Sequence, residues 1–315
     1  MTLDPHRHDV GHVHRAAFYA SDDEFRDLIV PFVQEAVEGG QPVVLGYDER
    51  KSEMLRSWVG VPPGVTYARD TSLYATPARA IESYRKLFEH HVAHGADQIR
   101  IAGDVPHAGN GGRFEGWDRY ESAVNTVWDQ FPVRSLCLYD ATTVPDDVRD
   151  VVERTHPQLL DPTGELRDND RYEPPSSFTG LPMAPDPLEA QEPNIELHDP
   201  QPAEARRALE RIGLGRINPK TLEELQLGLS EVVANALIHG QPPTIARMWA
   251  TSDRLVIHVC DSGPGPTDRH AGLIPSVSEH GGGMGLWLTH QLDLDVAMIA
   301  TGQGFTVRLR AGPPA

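Results

Sequence analysis

The sequence has few cysteines, few aromatic residues and no long apolar run. Its only cysteines, Cys137 and Cys260, each lie in an apolar, strand-like stretch, and two isolated thiols do not form a disulfide framework. Aromatic residues make up 7% of the 315 positions, so we expect aliphatic cores. No stretch approaches the roughly 20 apolar residues of a membrane span, and the polar, histidine-rich N-terminus has no signal-peptide core. These absences predict a cytoplasmic protein without a membrane span.

Positive charge is also scarce. The 28 lysines and arginines are outnumbered by 46 aspartates and glutamates, which leaves a formal net charge of −18. A surface this acidic repels phosphate backbones and anionic membranes, and therefore argues against direct binding to nucleic acid or membrane. It favours basic partners, although most such charge serves solvation.

The N-terminal half alternates between strand-like and helix-like stretches. Apolar residues recur at helical spacing in 24–38. This stretch follows a capping cluster that begins at Ser21, and a Gly-Gly pair comes directly after it. The alternation continues along the chain, with strands predicted at 15–21, 42–47, 65–69, 98–103 and 135–139 and helices at 24–38, 51–59, 77–94, 113–131 and 145–155. Strands that alternate with helices predict an α/β domain with a mostly parallel sheet, over residues 8–160.

A second domain is predicted beyond a Pro-rich stretch. Periodicity is lost over residues 161–196, where proline and acidic residues are frequent, and we interpret this stretch as a linker. The remaining domain, 197–311, has an α+β pattern, with helices predicted at 202–212, 222–238 and 285–292 and strands at 244–249, 254–261, 295–300 and 304–310.

Two polar features of the C-terminal domain carry candidate chemistry. Glu231 and Asn235 lie four residues apart on a predicted helix and share one face. An Asn carbonyl oxygen suits one position around Mg²⁺, and a Glu beside it suits deprotonation of a hydroxyl. Asp261 directly follows an apolar strand, where a carboxylate can accept the amino group of adenine. Taken singly, an exposed helix face or a plain turn explains each feature as well.

Two further features are glycine-rich. Four glycines between residues 281 and 285 precede a predicted helix, whose free N–H groups and dipole suit phosphate. The turn 302–304 leads into a last strand that carries the Thr306 hydroxyl. Alone, these features would be a flexible linker and an ordinary hairpin.

The order of the four features resembles the ATPase superfamily of gyrase, histidine kinases and MutL, known as GHKL. The order is E-x-x-x-N on a helix, D-x-G-x-G after a strand, G-x-G-L before a helix, and a final strand with Thr. Within that superfamily, the N-A-x-x-H-G form at 235–240, the compact lid and the terminal TVRLR strand resemble the anti-sigma factor serine/threonine kinases. The resemblance implies a Bergerat-type α+β sandwich that binds ATP and Mg²⁺.

The resemblance also implies a role for each matching residue. Glu231 would be the catalytic base, and Asn235 would ligate the Mg²⁺ that ATP carries. Asp261 would bind adenine, assisted by Thr306. The nucleotide pocket would be shaped by Gly263, Gly265, Gly283, Met284, Gly285 and Leu286, and residues 266–282 would form the ATP lid. At 303–305 the sequence departs from the usual Gly-Thr-Thr turn, and this departure lies directly before Thr306, whose role depends on that turn.

A sensor histidine kinase is the rival interpretation. Such kinases need a dimerising two-helix hairpin that carries an exposed His followed by an acidic residue. Here His198 and Asp199 lie in a Pro-flanked stretch, and only one short helix separates them from Glu224. Because this spacing leaves no room for the hairpin, phosphotransfer to a serine of a separate protein, or no transfer, is favoured.

The N-terminal domain resembles the MEDS domain, named for methanogen and methylotroph sensory proteins. The matching strings are HVHRAAFYASDDEF at 12–25, PFVQEAVEGGQPVV at 31–44, RFEGWDRYESAVN at 113–125, SLCLYD at 135–140 and THP at 155–157. The family is similar to RecA- and KaiC-type ATPases, which implies a RecA/KaiC-like fold and a sensory role for a small organic ligand. No G-x-x-x-x-G-K-[ST] loop is present. Asp140 ends an apolar strand, where it would either bind magnesium or cap the strand.

The 15 histidines invite a metal interpretation. His90 and His94 are one helical turn apart, with His91 beside them, and four more crowd the N-terminus at positions 6, 8, 12 and 14. Zinc needs three or four convergent ligands, and no Cys or acidic residue completes an obvious set in the sequence. We therefore interpret these histidines as solvated, and predict no redox role for the two cysteines because both should be buried.

Together these features predict a two-domain signalling regulator. Its second domain would be an Mg·ATP-dependent anti-sigma factor and serine kinase that acts on an anti-anti-sigma (STAS) protein, under control of the sensory domain. The partners would be that protein, a sigma factor, and a second copy of the chain in a homodimer. The alternatives are a nucleotide-gated binding module without phosphotransfer, an atypical histidine kinase-like protein, and an ATP-independent sensor; intact Asn235 and Asp261 argue against the last.

Overall fold

The chain folds into two compact units, Met1–Leu181 and Pro182–Ala315. The structure, a computed structural model, describes residues 11–69, 74–275, 284–302 and 304–313. This division does not test the predicted limits of the sensory domain, the linker and the ATP-binding domain, which stay predictions. No helix among the described residues is long and apolar enough to cross a membrane.

The first unit is a seven-stranded sheet with helices between its strands. The strands are β1 (His12–Tyr19), β2 (Val43–Tyr47), β3 (Val65–Arg69), β4 (Ile99–Gly103), β5 (Val133–Asp140), β6 (Gln158–Leu160) and β7 (Leu166–Asp168), and the helices are α1 (Asp22–Glu38), α2 (Glu49–Val59), α3 (Pro77–Ala93), α4 (Trp117–Val127) and α5 (Asp146–Thr155). The strand order is β3-β2-β4-β5-β1-β6-β7, and every neighbouring pair is parallel except β6–β7. The predicted α/β class with a mostly parallel sheet is confirmed.

Two adjacent strands of this sheet, β2 and β4, are buried along their whole length. Every residue of β2 and of β4 is buried, as expected for parallel strands covered on both faces. Strand β1 lies between β5 and β6, and its parallel register pairs His14 with Ser135 and Ala16 with Cys137. Polar side chains of β1 and β5 are thereby brought into the interior of the unit.

The second unit is an antiparallel sheet packed against helices. Its strands are β8 (Ile195–His198), β9 (Ile245–Ala250), β10 (Leu255–Asp261), β11 (Asp295–Thr301) and β12 (Gly304–Ala311), in the order β11-β12-β10-β9-β8, and its helices are α6 (Pro202–Gly213), α7 (Pro219–His239) and α8 (Met284–Gln291). The core joins Leu229 and Val233 of α7 to Ile257 and Val259 of β10 and to Val307 of β12. This arrangement is the predicted α+β pattern.

The Pro-rich stretch predicted as a linker is divided between the two units. Its first part adds β7 to the first sheet and buries Phe178, whose ring lies 4.9 Å from the Arg154 guanidinium carbon. Its second part contains a short 3₁₀ helix, Pro187–Ala190, and buries the Asp186 side chain in the second unit. These contacts are made by single side chains rather than by a repeating face, and periodicity therefore does not reveal them.

Candidate nucleotide-binding site

Helix α7 presents one polar stripe to the site. Asn218 caps the N-terminus of the helix, and its side chain accepts a hydrogen bond from the backbone N–H of the third helical residue at 2.8 Å. Gly228, Glu231 and Asn235 follow at i, i+3 and i+7, and so share one face. Glu231 and Asn235 are partly buried, and neither side chain has a hydrogen-bond partner among the described residues.

Helix α8 runs antiparallel to α7 across this stripe. A Cβ added at Gly228 would lie 3.3 Å from Thr289 Cγ2, and one added at Gly285 would overlap the Glu231 carboxylate. Residues later in α7 therefore contact residues earlier in α8. Asn235, one turn after Glu231, consequently lies beyond the N-terminus of α8. The free N–H groups and the positive dipole end at that point favour an anionic ligand.

Asp261 ends strand β10 beside the last turn of α7. Its Oδ1 accepts hydrogen bonds from the backbone N–H of Gly263 at 2.7 Å and of Gln241 at 3.2 Å. A Cβ added at Gly240 would lie 2.5 Å from the carboxyl carbon of Asp261, so the chain leaving α7 passes directly against this group. No described residue donates to Oδ2, which can therefore accept a hydrogen bond from a ligand.

The turn after Asp261 closes against an aromatic ring. Gly265 has a φ of +77°, and a Cβ at this position would overlap the Phe305 ring. In the antiparallel register of β10 and β12, Phe305 stands opposite Asp261. Because paired residues point to the same face of a sheet, Phe305 shares the face of Asp261 and of the core residues Val259 and Val307.

The structure does not bring Thr306 to this group, although the resemblance implies a role for it beside adenine. Thr306 stands opposite Cys260, and its hydroxyl lies 3.2 Å from the Cys260 Sγ. The alternation of side chains along β12 puts this hydroxyl on the face that carries Arg308, away from α7. The residue that sequence reasoning missed is Phe305, and the signal was the unusual turn at 303–305.

Part of the predicted pocket lies outside the described residues. Gly283 belongs to this part, and so does the end of the predicted lid, residues 276–282. The earlier lid residues contact the body of the unit, where Leu273 is 2% exposed. At the start of α8, Met284 is exposed and Leu286 is partly buried.

The groups that the structure brings together fit Mg·ATP. Asn235 offers a neutral amide oxygen, the kind of ligand that Mg²⁺ takes beside phosphate oxygens. Asp261 offers a carboxylate oxygen that can accept the adenine amino group, within a turn whose glycines let a ligand approach the backbone. Glu231 lies one turn before Asn235 on α7, with its carboxylate against Gly285 at the start of α8, where the helix N-terminus suits phosphate. The site therefore has a base end and a phosphate end.

The candidate residues of the first unit have local roles. Asp140 Oδ1 accepts hydrogen bonds from the N–H and the hydroxyl of Thr142 at 2.8 and 2.6 Å, which favours the capping interpretation. His90 and His94 are exposed, and among the described residues no third metal-ligating side chain joins them.

Replacing Asp261 with asparagine is expected to weaken ATP binding by about 10- to 100-fold, since a hydrogen bond to a charged acceptor is worth about 1.5–3 kcal/mol. Titration calorimetry with Mg·ATP measures the change. Asp253→Asn, which alters an exposed carboxylate in the turn before β10, is the matched control and should bind as the wild type does. Equal affinities for the two variants would contradict the adenine role of Asp261.

Comparison with known proteins assigns a family to each unit. Residues 13–157 match the MEDS family, described as the methanogen/methylotroph, DcmR sensory domain. Residues 197–311 match the family described as the histidine kinase-like ATPase domain. No curated protein matches the chain.

Solved histidine kinases are among the structures to which the chain is similar. The histidine kinase domain of the blue-light activated histidine kinase of Erythrobacter litoralis is 21% identical, with 35% of this chain and 58% of that chain covered and a TM-score of 0.23. The histidine kinase domain of the E. coli osmosensor EnvZ is 18% identical, with 40% and 92% covered and a TM-score of 0.24. This chain thus spans little more than half of the length of the first of these proteins. Identities and TM-scores this low carry no information on substrates.

The two family matches agree with the geometry of each unit. The first match coincides with the parallel sheet of the first unit, and the second covers the helix stripe, the Asp261 turn and α8. The chain therefore combines a MEDS sensory domain over residues 13–157 with a histidine kinase-like ATPase domain over residues 197–311.

Proposed function

We propose that this chain is an Mg·ATP-dependent anti-sigma factor and serine kinase that acts on an anti-anti-sigma (STAS) protein. The observation that carries the proposal is the placement of Glu231 beside the N-terminus of α8, on the same stripe as Asn235. Domains of the matched ATPase family bind ATP, generally with Mg²⁺, and a sensory domain joined to such an ATPase fits a signalling kinase. The proposed assembly is a homodimer.

The residues of the site divide the work of phosphotransfer. Asp261 receives the adenine amino group through Oδ2, and Asn235 holds Mg²⁺ through its amide oxygen. The N–H groups at the start of α8 face the phosphates. Glu231 accepts the proton of the attacking serine hydroxyl of the partner protein. Mg²⁺, when bound, neutralises charge on the transferring phosphoryl group. Phosphorylation of the partner then frees this chain to bind its sigma factor.

Transfer to a separate protein is favoured over transfer to a histidine of this chain. Between β8 and α7 the structure contains one helix, α6, and its residues Ala205 and Leu209 are buried in the same core as α7. That helix belongs to the body of the ATPase unit and does not form a separate two-helix hairpin. His198 lies on β8, where its Nε2 is 3.0 Å from the Glu196 carboxylate. These residues offer no arrangement for histidine phosphotransfer.

For the first unit we propose a RecA/KaiC-like sheet that senses a small organic molecule. The parallel sheet with crossover helices supports the kinship, and the unit also contains a small cavity. Aromatic side chains of Tyr74, Tyr120 and Trp128 line this cavity. A buried ion pair between Lys51 and Asp104, at 2.5 Å, lies near the carboxyl edge of the same sheet.

The proposed function is tested with Asn235→Ala. The variant is expected to bind Mg·ATP about 10- to 100-fold more weakly, because a metal ligand is lost. Calorimetry measures the affinity, and ADP release with an added STAS protein measures the transfer. Gln226→Ala, which removes an amide from another face of α7, should leave both unchanged. Failure of the wild-type chain to bind Mg·ATP would refute the proposal, and binding without ADP release would identify a nucleotide-gated binding module.

A further inference from the structure

Four side chains with metal-ligating atoms converge inside the first unit. They are His14 of β1, Glu121 of α4, Cys137 of β5 and His156, which follows α5. One ligand atom from each lies within 4.8 Å of the other three. His14, Glu121 and His156 are 3, 0 and 0% exposed, and Cys137 is partly buried. This group lies far from the nucleotide site in sequence and takes no part in the function proposed above.

The spacing of these atoms matches a tetrahedral metal site. His14 Nε2 lies 3.4 Å from Glu121 Oε2 and 3.6 Å from Cys137 Sγ, and His156 Nε2 lies 3.6 Å from the same Glu121 oxygen. Ideal zinc bonds at the tetrahedral angle separate neighbouring nitrogen and oxygen ligands by about 3.4 Å, and nitrogen and sulfur ligands by about 3.6 Å. The other separations are at most 4.8 Å, so the four atoms can close around a single ion when the side chains adjust.

Hydrogen bonds at the far side of each imidazole orient the rings for metal binding. His14 Nδ1 is 3.1 Å from Asn125 Oδ1, and His156 Nδ1 is 2.9 Å from the Val152 carbonyl oxygen. The Asn125 Nδ2 group donates to the Thr155 carbonyl at 2.8 Å, so its Oδ1 is the atom that faces His14. Both Nδ1 atoms therefore carry the proton, and both Nε2 atoms present a lone pair to the cluster.

The Glu121 carboxylate is held in the same way. Tyr139 donates a hydrogen bond to Oε1 at 2.8 Å, whereas Oε2 is buried and has no hydrogen-bond partner among the described residues. Nε2 of His156 is buried and equally without one. An acceptor oxygen that faces acceptor nitrogens in the interior is costly unless a proton or a metal cation lies between them. The second atoms of these ligands are satisfied, whereas Glu121 Oε2 and His156 Nε2, which point inward, are not.

Burial lowers the pKa of His14 to about 4 and that of His156 to about 3. Burial also raises the pKa of the Cys137 thiol, with a smaller contribution from the Glu121 and Asp104 carboxylates. A bound cation would displace the thiol proton to the solvent.

We propose that His14, Glu121, Cys137 and His156 bind one divalent transition-metal ion of the zinc class. Together, two neutral imidazoles, a thiolate and a carboxylate carry two negative charges, which a divalent ion balances. Thiolate and imidazole ligands favour an ion of the zinc class over Mg²⁺ or Ca²⁺. His14, Glu121 and Cys137 also line the small cavity that Tyr74 and Trp128 line. The volume of this cavity that the centre of a water-sized sphere can occupy is about 20 Å³. The ion therefore lies in the wall of that cavity.

The experiment uses the full-length chain without a histidine tag, stripped with a chelator and titrated with Co²⁺. A cobalt–thiolate charge-transfer band that saturates at about one ion per chain is expected, together with tetrahedral d–d bands. Surface histidines that bind Co²⁺ adventitiously give no thiolate band. Because the wild type alone gives this readout, the test does not depend on a variant that folds. Absence of the thiolate band in the wild type would overturn the proposal.

Three variants test which residues are the ligands. Cys137→Ser is expected to remove the thiolate band, whereas Cys260→Ser, which alters the cysteine of the second unit, should retain it. Tyr139→Phe should keep the band but weaken Co²⁺ affinity about 10- to 100-fold, because the carboxylate loses the group that orients it. Identical spectra for the two cysteine variants would show that the metal binds elsewhere.

Discussion

Replacing Glu231 with glutamine is expected to slow phosphotransfer by about 10²- to 10⁴-fold, the usual contribution of a general base. The glutamine side chain keeps the size of the glutamate beside Gly285 but cannot accept the serine proton. Mg·ATP binding should stay close to that of the wild type, since the base end of the site and Asn235 are unchanged. The effect is expected in the rate of transfer at saturating ATP.

The measurement is the rate of phosphoserine formation on a purified STAS protein, with ATP affinity measured in parallel. Glu223→Gln is the matched control, because Glu223 lies on the same helix with its side chain exposed. Transfer by the Glu231 variant at the wild-type rate would remove Glu231 from the mechanism. Loss of ATP binding and transfer together would instead assign Glu231 to nucleotide binding.

Replacing Asp186 with alanine is expected to destabilise the second unit by about 3–5 kcal/mol, the usual cost of leaving a buried charge unpaired. Asp186 and Arg254 form a hydrogen-bonded ion pair and are 2 and 6% exposed. Arg310 Nη1 lies 3.4 Å from the same carboxylate. The variant therefore leaves the Arg254 guanidinium in the interior without its carboxylate.

The measurement is the alkylation of Cys260 at increasing urea concentrations, followed by mass spectrometry of the peptide that contains this cysteine. Because Cys260 belongs to the second unit, its alkylation reports the unfolding of that unit alone. Cys260 suits this measurement because it lies on β10 and is partly buried. The control is Glu192→Ala, an exposed position six residues from Asp186, for which a change within about 0.5 kcal/mol is expected. An equally small change for Asp186→Ala would show that the Asp186–Arg254 ion pair does not stabilise the unit.

The sequence by itself determined the order of the longer elements and of the nucleotide motifs, but not the short strands β6, β7 and β8. Helix α7 with Glu231 and Asn235, the Asp261 turn at the end of an apolar strand, and α8 after a glycine-rich stretch were all readable from local patterns. Such patterns are local because capping, the 3.6-residue period and turn chemistry depend on neighbours in the chain. The alternation of strands and helices likewise predicted the parallel sheet of the first unit.

The tertiary structure alone decided which distant side chains meet. The register between β10 and β12 puts Phe305 opposite Asp261 and turns Thr306 to the other face, and a shift of one residue would reverse this. Cys137 and His14 are 123 residues apart, and parallel pairing of β1 with β5 brings them within 3.6 Å. The sequence shows no metal motif because these ligands have no fixed spacing; their geometry arises from strand register and helix packing, which are set by the whole core.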